Sequence, residues 1–175
     1  MTWQIDPTHS AIEFSGKHML VSTVKGKFGT FTVDATINED DLPASAAVIT
    51  IDVASLDSGV EQRDGHLRSA DFFDVETYPT ITFVSKKIER NGGDDYKIVG
   101  DLTIRDVTRE VVLDAELAGP MESPFGGRVI GLTAEGKINR KDWGLTWNVP
   151  LGSTGVLVGE QIKIAISAEL VNQNN

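Results

Sequence analysis

The chain has 175 residues and a mass of 19.0 kDa, enough for one domain that buries roughly 70% of its unfolded surface without covalent staples. It has no cysteine, which excludes disulfide frameworks, thiolate metal sites and cysteine nucleophiles. A formal charge of −10 argues against a nucleic-acid partner, which needs a basic face, and against electrostatic docking on anionic lipid.

The opening residues, Met1-Thr-Trp-Gln-Ile-Asp-Pro7, have neither a basic start nor an apolar stretch, so no signal peptide is visible. No apolar run approaches the ~20 residues that cross a bilayer. The expectation is a cytoplasmic protein without stable membrane insertion, or a periplasmic or secreted one where a leader precedes Met1.

Alternation of apolar and polar residues at period 2, the mark of strands with one wet and one dry face, dominates the chain. Residues 11–18 place Ile12 and Phe14 opposite Glu13, Ser15 and Lys17. Residues 29–38 set Phe31, Val33, Ala35 and Ile37 against threonines and Asp34, and 46–53 put Ala47, Ile49, Ile51 and Val53 on one face. Between 63 and 83 the alternation stops. Charged residues, His66, the pair Phe72-Phe73 and Tyr78-Pro79 crowd into a predicted helix over 62–70 and a loop.

Strands are then expected over 80–89, 96–104, 110–117 and 128–138. Asn91-Gly-Gly-Asp-Asp95 and Arg105-Asp-Val-Thr108 supply hairpin turns. Residues 139–143 read as a helical turn capped by Asn139. The last strand sets Ile162, Ile164, Ile166, Ala168 and Leu170 against Gln161, Lys163 and Glu169, and the tail 172–175 reads as frayed. Pro43, Pro79, Pro120, Pro124 and Pro150 are expected at strand ends or loops, and Gly26, Gly100, Gly131 and Gly136 at bends. About eight long strands with few helices fit a sandwich or a closed barrel, and the hairpin succession favours an up-and-down barrel.

Catalytic signals are weak. His9 and His18 flank one strand and fall far apart, without a partner at metal spacing. No Gly-x-Ser-x-Gly elbow is present, and the glycines at 152, 155 and 159 lack the Lys-Ser/Thr of a phosphate loop. The expectation is no enzyme, no metal and no cofactor. Arg63 and His66 share a helix face that suits a polar head group as well as it suits ordinary salt bridges to Glu61 or Asp64. The aromatics Phe14, Phe28, Phe31, Phe72, Phe73, Phe83, Trp143 and Trp147 fall on inner faces or in the two interruptions, where they fill a core or line a void.

Several motifs occur in a fixed order: Trp3-Gln-Ile-Asp6 with His9-Ser10, Val24-Lys-Gly-Lys-Phe28, Arg63-Asp-Gly-His-Leu67, Asp71-Phe-Phe-Asp74 and Tyr78-Pro79. Gly100-Asp-Leu-Thr103, Ile138-Asn-Arg140, Trp143-Gly144 and Val158-Gly159 follow. In this order the chain resembles the YceI-like family of lipocalin-like, polyisoprenoid-binding proteins, nearly end to end. The resemblance implies an extended eight-stranded antiparallel barrel with a helix near its mouth. It also implies a long apolar pocket for an isoprenoid or other long-chain lipid, and a homodimer.

The expected apolar lining is Phe14, Phe31, Phe72, Phe73, Phe83, Trp143 and Trp147, with residues 62–79 as a flap. A soluble carrier competes with the membrane for its ligand and needs head-group contacts, for which His18, Arg63, His66 and Arg140 are the expected polar rim. Two rival readings are a haem or redox protein using His18 or His66 as axial ligand, and a stress-response interaction protein with a filled barrel.

Overall fold

The computed structural model describes residues 3–19, 21–149 and 157–173. Pro150 and residues 152–155 lie outside them. The strands are β1 (Gln4–Ile5), β2 (Ala11–His18), β3 (Ser22–Phe28), β4 (Phe31–Thr36), β5 (Ala46–Asp52), β6 (Leu56–Asp57), β7 (Thr80–Arg90), β8 (Asp95–Ile104), β9 (Val107–Glu122), β10 (Arg128–Asn139) and β11 (Val158–Asn172). A single α-helix, α1 (Glu61–Arg68), and short 3-10 turns complete the described residues.

The sheet runs β4-β5-β7-β8-β9-β10-β11-β2-β3-β6, with β1 on the edge of β11, and every pairing is antiparallel. Strands β7 to β11 form a meander because tight turns join them. Arg105-Asp106 alone connects β8 to β9, with Arg105 at φ 56° and Ile104 paired to Val107. Residues 29–30 then link the two ends of the curled sheet. The Gly29 amide donates to the Ser55 carbonyl (3.2 Å) and the Asp52 amide to that of Thr30 (3.0 Å). At the opposite end Trp3 bridges Ala35. The result is an all-β, lipocalin-like barrel.

Among the described residues eleven strands stand where eight were expected. The additional ones are the two-residue β1 and β6, and β3. Two further expectations are corrected. Pro120 lies within β9, where Gly119 and Pro120 face the single residue Ile130 as the register passes from Ala118–Gly131 to Met121–Val129. This bulge gives proline a place inside a ladder. Asn172 is not frayed; it is buried and pairs with Arg128 at the end of β11.

Alternation sorts the side chains as expected. Ile12, Ile49, Ile51, Ile81, Phe83, Ile98, Leu102, Leu113 and Ala134 enter one interior core, and Trp3, Ala35, Ile130 and Leu170 form a smaller one at the closed end. α1 has only Leu67 as an apolar side chain, so tertiary bonds hold it. The buried Asp64 carboxylate accepts from the Ser58 amide (2.9 Å) and from its hydroxyl. Arg68 donates to the Ala54 (3.2 Å) and Leu56 (2.8 Å) carbonyls. Acidic residues in its first turn and His66 and Arg68 in its last complement the helix dipole.

Candidate functional site

Inner-facing side chains leave three apolar spaces in series. At the barrel centre lies a chamber of about 150 Å³ bordered by Phe14, Phe72, Phe73 and Phe83. Among the described residues only Glu13 and Arg140 interrupt its apolar lining. Deeper, toward the closed end, a void of about 80 Å³ is bordered by Phe31, Val33 and Leu170. Ile12, Ile49 and Ile166 border both and form the constriction between them.

Above the central chamber an open pocket of about 450 Å³ forms the mouth. His18, Arg63, His66 and Trp147 line it, and Phe14 and Phe72 separate it from the chamber. The larger groove on the wall, about 630 Å³, is bordered by Asp95, Asp114, Glu116 and Glu135, and its carboxylates make it no place for a hydrocarbon chain.

The segment after α1 builds the partition. The Phe72 amide donates to the Ser69 carbonyl (3.0 Å) and the Phe73 amide to that of Leu67 (3.0 Å), turning both rings inward. Phe73 meets Phe28 edge-on at 6.2 Å, and Phe28 lies 5.2 Å from Phe14. His66 stands edge-to-face on Phe72 (5.1 Å) and on Trp147 (4.5 Å), while its Nε2 lies 2.9 Å from an Asp71 carboxylate oxygen. Of the expected flap over 62–79, Gln62, Arg63, His66, Leu67 and Phe72 border the mouth and Phe73 borders the chamber, whereas Tyr78 lies against Arg105.

The polar residues divide. His18 is exposed at the lip. Arg63 lines the mouth but uses Nε and Nη2 on the hydroxyl (2.8 Å) and carbonyl (2.7 Å) of Ser58. Arg140 is buried beneath the rim. It donates to the carbonyls of Gly159 (2.9 Å), Leu145 (2.6 Å) and Val158 (3.2 Å) and lies over Phe72. Burial lowers its pKa, partly offset by Glu160. Trp143 also leaves the expected lining. It packs in the core, and its indole N–H donates to the Leu102 carbonyl (2.9 Å).

One cluster joins the motif residues Asp6 and His9 to a third residue from outside the motif. His9 Nδ1 lies 2.8 Å from Asp6, and Glu169 joins them from β11, with ligand atoms of all three within 4.8 Å of one another. Thr8 and then His9 lower the Asp6 pKa to about 2, and the bond to Asp6 raises that of His9. The i, i+3 spacing of Asp6 and His9 across a proline-started turn was the available signal; Glu169 required the β1–β11 pairing.

Known proteins resemble this chain in sequence and in fold. A UPF0312 protein of Staphylococcus epidermidis is 40% identical over 173 residues, 98% of each chain. The crystal structure of Burkholderia cenocepacia BcnA aligns at TM-score 0.80 with 26% identity, covering 94% of this chain and 98% of that one. The Campylobacter jejuni YCEI protein aligns at 0.79 with 31% identity over 90% of each chain. A polyisoprenoid binding domain from Saccharophagus degradans shares the fold at TM-score 0.68 and 14% identity, covering 98% of both. The YceI-like domain model matches residues 3–170, and with these relatives it shows that the chain belongs to the YceI-like family.

Proposed function

We propose that this protein binds, without chemical conversion, a long-chain isoprenoid or related amphiphile, and sequesters or carries it as a homodimer. The observation that carries the reading is the serial arrangement of an open mouth and two apolar voids under an aromatic partition. The relatives favour a binding protein over an enzyme, and the Saccharophagus degradans domain is a polyisoprenoid binder by name.

Each isoprene unit moved from water into such an interior gains roughly 3 kcal/mol. A chain of several units exceeds the central chamber, so it threads past Ile12, Ile49 and Ile166 and displaces Phe72 from the partition. Solvent extraction of purified protein, followed by mass spectrometry and native mass spectrometry, tests the reading. Stoichiometric lipid of isoprenoid mass on a dimer is expected. A lipid-free mass that persists after incubation with lipid extract refutes it.

A further inference from the structure

Among the described residues exposed apolar side chains occur at several places on the barrel, Val48, Val84, Val112, Met121 and Phe125 among them, and one group gathers at its mouth. Met19, Val21, Val60 and Val149 are all exposed at the mouth end, Val21 to 84%. Backbone bonds tie three of the segments together. The Leu157 amide donates to the Val149 carbonyl (2.9 Å), the Met19 amide to that of Leu157 (2.9 Å), and the Val21 amide to that of His18 (3.3 Å). Val60 stands on the other side, lining the same pocket as Leu157. The β2–β3 turn thus raises an apolar lip beside the opening, with Met19 held at φ 54°.

Charge is sorted there as well. Among the described residues Lys17, His18, Arg63 and His66 line the mouth, and no carboxylate does. The neighbouring carboxylates bond elsewhere and do not line the opening, Asp64 on Ser58 and Asp57 on the Gly59 amide (2.8 Å), while Asp71 offsets any charge on His66 and leaves Lys17 and Arg63 as the permanent cations of the lining. Glu61 follows Val60 but does not line the pocket. In a chain of net charge −10 the described lining of the mouth therefore carries cationic side chains and no carboxylate, with apolar side chains exposed beside it.

We propose that this end docks reversibly on the surface of an anionic bilayer, with Met19, Val21, Val60 and Val149 entering the head-group layer and Lys17 facing lipid phosphates. Apolar side chains beside cationic ones can hold a protein at a membrane interface without spanning it. The inference rests on the lipid-binding reading, because it gives the ligand a path between bilayer and barrel that avoids water. Net charge alone argues against such docking, and the local sorting of side chains at the mouth outweighs it.

The test is co-sedimentation of the full chain with phosphatidylcholine vesicles, with and without phosphatidylglycerol, at about 0.1 M and about 1 M salt. Binding to the anionic vesicles that weakens at the higher salt is expected. The double variant Met19→Asp/Val21→Asp should bind about tenfold less. Aspartate tolerates the left-handed backbone at position 19, and loading of a fluorescent prenyl probe from solution should be unchanged. Wild-type protein that ignores anionic vesicles, or a double variant that binds as wild type, overturns the proposal. So does a variant that turns a dimer into a monomer by sedimentation velocity with vesicle binding unaltered, since the lip is then a contact between copies. Failure of the probe to load wild-type protein would instead refute the lipid-binding reading.

Discussion

The ring of Phe14 lies on the bare backbone of Gly26, its partner across the β2–β3 ladder. A Cβ at position 26 would fall 2.3 Å from Phe14 Cζ. The same device recurs where Phe83 covers Gly100, but there the added carbon would also meet the Val84 carbonyl oxygen at 2.6 Å. Both glycines let an aromatic ring lie flat along the inner wall, which keeps the central chamber open.

The two sites should respond differently to alanine. In Gly26→Ala the obstacle is a side chain beside a void, so Phe14 swings into the chamber. Stability should fall by about 1 kcal/mol and lipid loading should drop. In Gly100→Ala a backbone carbonyl blocks relief, and the loss should approach about 3 kcal/mol. Urea denaturation together with a probe-loading assay separates them; equal destabilisation would contradict the packing described.

Removal of the partition should uncouple retention from folding. Phe72 is buried and Phe73 half-buried, so Phe72→Ala alone should cost about 3–5 kcal/mol. The double variant Phe72→Ala/Phe73→Ala should release bound lipid faster while far-ultraviolet circular dichroism still reports the sheet. Unchanged lipid loading in that variant would exclude these rings from the binding site.

Arg140 should behave as a structural residue. Arg140→Met strands the carbonyls of Leu145 and Gly159, whereas that of Val158 keeps the Asn148 amide (2.7 Å). A loss of about 2–4 kcal/mol is expected. Lysine restores one donor direction of three, so Arg140→Lys should fall between methionine and wild type. Denaturation midpoints in any other order would contradict this role.

The Asp6–His9 pair should contribute to stability within a defined pH window. The folded pKa of His9 is raised above its ordinary 6.5, so its share is full below 6.5 and is lost as pH rises through the folded value. That of Asp6 is depressed from 3.8 to about 2, so its share is full above 3.8 and is lost as pH falls through about 2. The pair is at full strength between 3.8 and 6.5. An NMR titration should show His9 titrating above 6.5. Asp6→Asn should bring it back toward that value, and an unmoved titration would show that the bond is not formed in solution.

Much of the fold was legible because alternation is a direct report of a half-buried sheet. Residues 11–18 form β2 with the expected Ile12 and Phe14 inside. β3 escaped because one of its inward positions is Gly26, which contributes no apolar side chain to the pattern and is explained only by the ring of Phe14 opposite. β9 runs past its expected end because a bulge, invisible in composition, accommodates Pro120. Within the site the phenylalanines were readable as inner-facing residues. The burial of Arg140 was not, since an arginine is expected at a wet surface unless the fold supplies carbonyls to receive it.

The ladder that joins Gln4 and Ile5 to Val171 and Leu170 has a consequence for biosynthesis. β2 also takes its outer partner from β11, so two of the earliest strands to leave the ribosome have no neighbour on that side until the final segment is made. During that interval the inner row of Ile12 and Phe14 stands uncovered next to an open edge. Translation speed over about the last forty codons thereby sets how long the nascent chain stays open to aggregation, and chaperone demand should track it.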